Sequence, residues 1–204
     1  MTTSNTIREP KQARSIEKKK RIIEAGIDLI CRKGYQNTTT ADIAKAANVS
    51  TGIVYNYFKD KKDILMAGLD VMTMEMKDPL LNAFHEFTTC DNLIDATDKL
   101  LDTFVAFHEQ LKTPHQELAS VATVYPDVAE WMRHFEIFLI DELANACVEA
   151  GLNPPNLNER IHIAYNLVEA YCHERVFYPN ETYDYDAVKK ATLYCIRSLL
   201  TDVD

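Results

Sequence analysis

Residues 34–58 read GYQNTTTADIAKAANVSTGIVYNYF and carry the signals of two short helices joined by a tight turn. Thr39 is followed three positions later by Asp42, which is the spacing of a capping box at the start of a helix. Asn48 tolerates the left-handed conformation and is predicted to end that helix, and Ser50 can cap the next one. Two short helices joined in this way have the outline of a helix-turn-helix.

A longer amphipathic helix is predicted before this motif, over residues 16–33. Its apolar face repeats at helical spacing and consists of Ile22, Ile23, Gly26, Ile27 and Ile30. Gly34 is predicted to end this helix as a left-handed cap. The second short helix is predicted from Thr51 to about Phe58, and Asp60 can cap a fourth helix that starts near Lys61.

The second short helix is predicted to expose groups that suit DNA. Its outer face is expected to hold Thr51, Gly52, Ile53, Tyr55, Asn56 and Tyr57, while Val54 and Phe58 point to the core. The hydroxyls of Thr39, Thr40 and Ser50 suit phosphate oxygens, and Lys61 adds a cation. Capping alone explains Thr39 or Ser50 equally well. The set taken together favours DNA.

The charge distribution divides the chain. Residues 1–62 carry 13 Lys and Arg against 6 Asp and Glu, whereas residues 63–204 carry 9 against 25, which gives net charges of +7 and −16. This asymmetry indicates an N-terminal part for a polyanion and an acidic part that stays away from it. The basic residues before and within the first helix either follow the minor groove and phosphates or form a solubilising tail. They are Arg8, Lys11, Arg14, Lys18, Lys19, Lys20 and Arg21.

The stretch from Gly34 to Phe58, followed by Lys61, resembles the DNA-binding part of the tetracycline-repressor family. The resemblance covers residues 16–65 and rests on the spacing from Gly34 through the Ile43–Ala44 pair to the Tyr-Asn-Tyr-Phe end. Two positions depart from the family pattern. Asn48 stands where Gly is more usual and preserves the turn, and Tyr57 stands where His is frequent and changes the geometry of a phosphate contact.

The resemblance also implies roles for individual residues. Contacts to the DNA backbone are implied for Thr39, Thr40, Thr51, Tyr55, Tyr57 and Lys61. Positions near the base edges are implied for Ser50, Thr51, Gly52, Ile53 and Asn56.

The remainder of the chain is predicted to be helical as well. It has no run of alternating β-branched residues, and its prolines mark helix limits. The predicted helices span 61–77, 80–88, 92–112, 116–124, 126–150, 157–178 and 184–202. The expected fold is all-α. A basic arm (1–15) and a three-helix DNA-binding domain (16–60) precede a larger helical domain (61–204), for which the resemblance implies effector binding and dimerisation.

The last two predicted helices each carry two apolar stripes. In 157–178 they are Ile161, Tyr165, Val168 and Cys172 on one side and Ile163, Leu167, Ala170 and Phe177 on the other. In 184–202 they are Val188, Ala191, Cys195 and Leu199, and Leu193, Ile196 and Leu200. The resemblance implies that these helices pair with their copies in a four-helix dimer interface, although a buried core helix would show the same stripes. A homodimer is favoured because one short recognition helix reads too few base pairs.

The resemblance further implies an effector pocket in the larger domain. The candidate lining residues are Phe104, Phe107, His108, Tyr125, Trp131, Phe135, Phe138, Tyr165, Glu169 and His173. Any one of these aromatic residues is more typical of a core than of a pocket. Glu169 and His173 lie four positions apart and share a helical face. Together with the acidic charge they favour an apolar or aromatic ligand that carries a positive charge, whereas the alternative is that the carboxylates only keep the domain soluble.

Other classes of protein are not indicated. The sequence has no nucleophile–base constellation, phosphate-binding glycine loop or paired-carboxylate motif, so no enzyme is predicted. No cofactor and no metal are expected. Cys31, Cys90, Cys147, Cys172 and Cys195 lack zinc-site spacing, and a site from His108, His134 and His173 is disfavoured because their spacing is irregular. No apolar run approaches the roughly 20 residues of a membrane span, and a cytoplasmic location is expected.

These inferences combine into one prediction. The chain is expected to be a homodimeric transcriptional repressor that binds a palindromic double-stranded DNA operator and is released by a small-molecule effector. The alternatives are a ligand-independent or architectural DNA-binding protein and a transcriptional activator.

Overall fold

The computed structural model describes residues 9–201, with side chains from residue 13 onward. Over this range the chain forms nine α-helices and no strand, which confirms the expected all-α class. They are α1 (Glu9–Lys33), α2 (Thr40–Ala46), α3 (Thr51–Tyr55), α4 (Lys61–Thr89), α5 (Leu93–Gln110), α6 (Lys112–Ala122), α7 (Pro126–Glu149), α8 (Leu157–Phe177) and α9 (Tyr185–Leu200). None of the described helices is both long and apolar enough to cross a membrane.

The chain divides into two compact units, an N-terminal unit up to Glu75 and a C-terminal unit from Met76. The division therefore falls later than the predicted boundary between residues 60 and 61. The reason is the close packing of α1 on the start of α4: a Cβ atom added at Gly26 would collide with Ile64, and one added at Gly68 would collide with Ile27.

The core of the N-terminal unit is built from the predicted apolar face of α1 and from single residues of the short helices. Ile22, Ile43, Val54 and Ile64 are completely buried there. Phe58 joins the same cluster, as its position after α3 predicted. The short helices are thus positioned by side chains that reach one shared core, because five to seven residues are too few to be stable as isolated helices.

The C-terminal unit is organised around α8, which packs against α5, α7 and α9. Its buried cluster includes Leu101 and Phe104 of α5, Cys147 of α7, Cys172 of α8 and Ile196 of α9. Since α8 contacts three helices, the first of its two predicted apolar stripes is covered by neighbouring helices: Ile161 and Cys172 are buried, and Tyr165 and Val168 are half-buried.

The helix limits differ from the sequence prediction by more than two residues in four places. Residues 9–15, predicted as an arm, are part of α1, whereas Arg8 lies outside the described residues. Helix α3 ends at Tyr55 instead of about Phe58. Pro79 lies inside α4, which is one helix and not two, and Pro114 lies in the first turn of α6.

The two proline positions have different physical reasons. Within the first turn of a helix the missing N–H of a proline has no intrahelical partner to lose, so Pro114 is tolerated. An interior proline costs about 3 kcal/mol. At Pro79 this cost is offset by the burial of Leu80 and Phe84, which hold the helix in the core of the C-terminal unit.

Candidate nucleic-acid interface and ligand sites

The start of α2 is held by a complete capping box. The Thr39 hydroxyl oxygen accepts the backbone N–H of Asp42 at 3.1 Å. The Asp42 carboxylate accepts the Thr39 backbone N–H at 3.1 Å and the Thr39 hydroxyl at 2.8 Å. Hydrogen bonds from the Thr39 hydroxyl and backbone amide lower the pKa of Asp42 below its ordinary value. The capping role predicted for Thr39 is therefore confirmed, and its side chain remains exposed at the helix N-terminus.

The turn between α2 and α3 has the predicted geometry. Asn48 adopts a left-handed conformation with φ of 53°. The N–H of Val49 donates a hydrogen bond of 3.0 Å to the carbonyl oxygen of Ala44. The Ser50 hydroxyl oxygen accepts the N–H of Ile53 at 3.3 Å and caps α3. A positive φ is costly for most side chains but is tolerated by Asn. The turn consequently fixes the direction of α3 relative to α2.

The outer surface of α3 is exposed in part. Of the six residues predicted there, Gly52, Tyr55 and Asn56 face solvent, and Tyr55 is 57% exposed. Thr51, Ile53 and Tyr57 are half-buried, and the last two pack against the core of the N-terminal unit. The Tyr57 hydroxyl forms a hydrogen bond of 2.9 Å with the Ser15 hydroxyl of α1. The outer face thus offers a phenol, an amide and a helix N-terminus without a bulky side chain at Gly52.

Lys61 has a structural role that the sequence analysis missed. Its ammonium donates to the backbone carbonyl of Tyr35 at 2.6 Å and to that of Thr38 at 3.0 Å, and it lies 4.2 Å from the centre of the Tyr35 ring. These bonds tie the start of α4 to the loop before α2. Two of its three N–H donors are therefore already used inside the protein.

The candidate effector residues do not form one pocket. Phe104 and Tyr165 line a cavity of about 50 Å³ within the C-terminal unit. The full lining is Phe87, Thr97, Leu100, Leu101, Phe104, Leu143, Cys147, Ile161, Ala164, Tyr165, Val168, Ile196 and Leu200. Pockets for drug-sized ligands measure about 300–1,000 Å³ and combine apolar walls with a few polar groups. This cavity has the apolar walls of such a pocket but almost no polar lining surface, and its volume is smaller.

A second group of candidates gathers beside α8. His108 of α5 and Glu169 and His173 of α8 come together, and His115 of α6 completes the cluster. One ligand atom from each of the four side chains lies within 4.8 Å of every other. His115 was not a candidate, because it falls in a segment predicted to be a loop between two helices. No spacing rule pointed to it, since α5 and α6 meet at Leu111 and the bend there brings His115 back toward His108.

The electrostatics of this histidine cluster are dominated by burial and by Glu169. Burial disfavours the charged form of His108, but the adjacent Glu169 carboxylate outweighs that effect and raises the pKa of His108. Burial likewise opposes ionisation of Glu169, yet His108 and the neighbouring imidazoles lower its pKa. Burial and the neighbouring His108 lower the pKa of His115 to about 4. The cluster therefore contains an ionised carboxylate and at least one neutral imidazole near neutral pH.

The remaining candidates lie elsewhere in the C-terminal unit. Trp131 and Phe135 stack with ring centres 5.6 Å apart, and Phe135 stacks with Phe138 at 6.3 Å, which makes a half-buried aromatic row along α7. Tyr125 is the N-cap residue of α7, and Phe107 packs against the core. Of the three histidines considered for a metal, His134 is not in the cluster. It is exposed and lies 3.3 Å from Glu130 one turn earlier on α7.

Comparison with known proteins identifies the N-terminal part of the chain. Residues 22–67 match the family model for bacterial regulatory proteins of the tetR family. The chain is 38% identical over 76 residues to the HTH-type transcriptional regulator BetI of Klebsiella pneumoniae (strain 342). It is 36% identical over 76 residues to BetI of Escherichia coli (strain K12 / DH10B). Each alignment covers 37% of this chain and 39% of the relative, so the match spans less than half the length of these proteins.

Solved structures extend the likeness to the whole fold. A protein of Mesorhizobium loti described as a TetR-family transcriptional regulator aligns with a TM-score of 0.74 and 18% identity, over 92% of this chain and 96% of that one. GusR of Salmonella enterica aligns with a TM-score of 0.70 and 16% identity, over 96% and 99%. At such identities the likeness establishes a shared fold, a helix-turn-helix unit followed by a helical one.

Proposed function

Since residues 22–67 belong to the tetR family of bacterial regulatory proteins, we propose that the chain is a DNA-binding transcriptional repressor. It binds a palindromic operator as a homodimer and is released by a small-molecule effector. The observation that carries the proposal is the exposed outer face of α3, held at a defined angle by the capped, left-handed turn at Asn48 and Ser50.

The chemistry of this face supports recognition in the major groove. The helix N-terminus at Ser50 and Thr51, the open backbone at Gly52, the Ile53 methyl groups and the Asn56 amide are the groups proposed to lie near base edges. Backbone phosphates are proposed to contact the hydroxyls of Thr39, Thr40, Thr51, Tyr55 and Tyr57. Lys61 contributes by holding the loop at Tyr35 and Thr38, which places α2 and the capping hydroxyl of Thr39.

A homodimer through α8 and α9 is supported by apolar side chains that the protomer leaves exposed. Ile163 of α8 is 50% exposed and Tyr194 of α9 is 71% exposed. Ala170, Ala191 and Cys195 are exposed on the same two helices. Small and apolar residues on adjacent helices suit close packing against a second copy. Two copies would also present two recognition helices to a palindrome.

The effector is proposed to bind in the C-terminal unit, beside the apolar cavity at Phe104 and Tyr165. Its lining favours an apolar or aromatic ligand. Burial, and after it the Glu169 carboxylate, raise the pKa of Tyr165. Glu169 does not line the cavity, but a carboxylate this near to Tyr165 favours a positive charge on the ligand. The effector releases the operator if it binds more tightly to a conformation that fits DNA poorly. A ligand shifts the equilibrium between two conformations only by the difference in its affinity for them.

The DNA proposal is tested by selecting an operator from random duplexes and measuring affinity by fluorescence anisotropy. Asn56→Ala is expected to lose about 1–3 kcal/mol on the selected site and much less on random DNA. Tyr55→Phe is expected to weaken binding to both kinds of DNA, because a phosphate contact carries no sequence information. Tyr183→Phe, which alters an exposed tyrosine of the C-terminal unit, is the matched control. Failure to select any preferred sequence would contradict the proposal.

The dimer is tested by sedimentation velocity with two glutamate variants of α8. Ile163→Glu places a charge on the exposed face and is expected to give folded monomers. Val168→Glu, in contrast, places the charge in the wall of the cavity and is expected to unfold the protomer. A wild-type chain that sediments as a monomer at micromolar concentration would overturn the dimer.

A ligand-independent or architectural DNA-binding role, or activation of transcription, is the alternative. The cavity and the buried polar cluster favour the ligand-responsive reading, since a purely architectural protein needs neither. A compound that raises the melting temperature and also lowers operator affinity supports the proposal. A repression assay with a reporter gene separates a repressor from an activator.

A further inference from the structure

The cluster of His108, His115, Glu169 and His173 lies where α5, α6 and α8 meet. We propose that these four side chains bind one divalent transition-metal ion of the Zn²⁺ class. No metal is expected from the sequence, and the proposed repressor function does not require one. Metal binding is a property of the C-terminal unit that can be measured without DNA.

Two of the distances between ligand atoms match a tetrahedral site, and a third is slightly shorter. Zinc–nitrogen and zinc–oxygen bonds of about 2.0–2.2 Å place tetrahedral ligand atoms about 3.3–3.5 Å from one another. The Nε2 atoms of His115 and His173 lie 2.9 Å apart. The Glu169 carboxylate oxygen lies 3.4 Å from Nε2 of His173 and 3.5 Å from Nε2 of His108. Every pair lies within 4.8 Å, so no two ligand atoms have to approach each other by more than about 1.5 Å to surround an ion.

His108 is already oriented as a metal ligand. Its Nδ1 lies 2.9 Å from the carbonyl oxygen of Phe104, a distance at which Nδ1–H donates and leaves the lone pair on Nε2. That Nε2 is buried, has no hydrogen-bond partner and points toward the other three ligands. A ring nitrogen bonded to a carbonyl, with the other nitrogen free, is the usual arrangement around protein-bound metals. An ion would bind a buried nitrogen that makes no hydrogen bond in the described part of the chain and has the Glu169 carboxylate 3.5 Å away.

The other donors have suitable chemistry. His115 and His173 offer imidazole nitrogens, and Glu169 offers a carboxylate oxygen. Three imidazoles and one carboxylate suit Zn²⁺, Co²⁺ or Ni²⁺, whereas Mg²⁺ and Ca²⁺ prefer oxygen ligands alone.

The ion can also enter the site from solvent. The side chain of His173 is 42% exposed, whereas that of His108 is 7% exposed. One side of the site is thus open to solvent and the other is buried. An incoming ion is expected to contact His173 before the other ligands.

Metal binding is tested on the full-length, tag-free protein after removal of metals with a chelator. Zn²⁺ is expected to bind at one ion per chain, and Co²⁺ in its place is expected to give the visible absorption of a tetrahedral site with nitrogen and oxygen ligands. The cysteines are a competing set of ligands, and a sulfur-to-cobalt charge-transfer band would overturn the assignment. Absence of stoichiometric binding by the folded wild-type protein would overturn it as well.

Variants identify the ligands. His115→Ala and Glu169→Gln are each expected to weaken Zn²⁺ binding by at least about 100-fold, because removal of a second-shell partner alone weakens metal sites by about 10–100-fold. His134→Ala and His162→Ala, which remove exposed histidines outside the cluster, are the matched controls and are expected to bind as the wild type does. Circular dichroism of each variant without metal establishes that it is folded. Wild-type affinity in both folded ligand variants would contradict the site.

Discussion

The two units of this protein place their polar chemistry in opposite ways. The N-terminal unit keeps an apolar core around Ile43 and Val54 and presents the Tyr55 hydroxyl and the Asn56 amide to solvent. The C-terminal unit instead withdraws an ionised carboxylate and a histidine, Glu169 and His108, from solvent. This difference fits the proposal that the N-terminal unit binds DNA on its surface and that the C-terminal unit encloses a small ligand.

The largest effect that distinguishes the units is expected from Ile43→Ala. Ile43 is completely buried in the N-terminal core, and truncation of such a side chain costs about 2–5 kcal/mol. The free energy of unfolding and operator affinity are both expected to fall, and Zn²⁺ binding by the C-terminal unit is expected to persist. Denaturant unfolding measures the free energy of unfolding, and metal titration measures Zn²⁺ binding. The control is Ile16→Ala, an exposed isoleucine of α1 in the same unit, whose truncation should change stability by less than about 0.5 kcal/mol. Loss of metal binding in Ile43→Ala would mean that the two units do not act separately.

A smaller effect is expected from Lys61→Ala, which removes the donor to the Tyr35 and Thr38 carbonyls. Leaving buried acceptors without a partner costs about 1–3 kcal/mol. Operator affinity should fall through loss of the ordered loop, so the dependence of affinity on salt should keep its slope. A slope that drops by about one unit would instead make Lys61 a direct phosphate contact. Lys190→Ala, which removes an exposed lysine of α9, controls for charge alone.

The buried polar chemistry of the C-terminal unit predicts a dependence of stability on pH. The folded-state pKa of His115, about 4, is below its ordinary value of 6.5, so the unfolded chain binds the proton more readily. Without metal, the wild type is therefore expected to lose stability as the pH falls from 6.5 to about 4. His115→Gln should remove that loss, a difference of about 1–2 kcal/mol once solvent screening is allowed for. Thermal unfolding across this pH range measures it, with His134→Gln as the control. Equal pH profiles for the wild type and His115→Gln would show that the imidazole is accessible to protons.

The smallest effect is expected from Tyr57→Phe. The substitution removes the hydrogen bond to Ser15 on α1 and leaves the packing of the ring unchanged. One hydrogen bond of this kind contributes about 0.5–1.5 kcal/mol. Stability and operator affinity are compared among Tyr57→Phe, Ser15→Ala and the double variant. This comparison distinguishes the hydrogen bond to Ser15 from a contact of the Tyr57 hydroxyl with a phosphate. If the bond is the whole role of the hydroxyl, the double variant should lose no more stability and no more affinity than either single one.

The sequence by itself determined the N-terminal motif because its signals are local. The bond from Thr39 to Asp42, the left-handed turn at Asn48 and the cap at Ser50 each join residues at most a few positions apart. Residue chemistry and spacing are enough to predict such features. Local signals gave wrong helix limits at Pro79, which lies inside α4, and at the end of α3, because packing and not local preference sets the limits there.

Only the tertiary structure decided the sites of the C-terminal unit and the partner of Lys61. His115 meets His173 across 58 positions of sequence, and Lys61 meets Tyr35 across 26. No periodicity links such residues, because their distance depends on how α5, α6 and α8, or α1 and α4, pack against each other. Eight of the ten effector candidates divide between a cavity, a histidine cluster and an aromatic row, and this division follows from the direction in which each helix faces its neighbours.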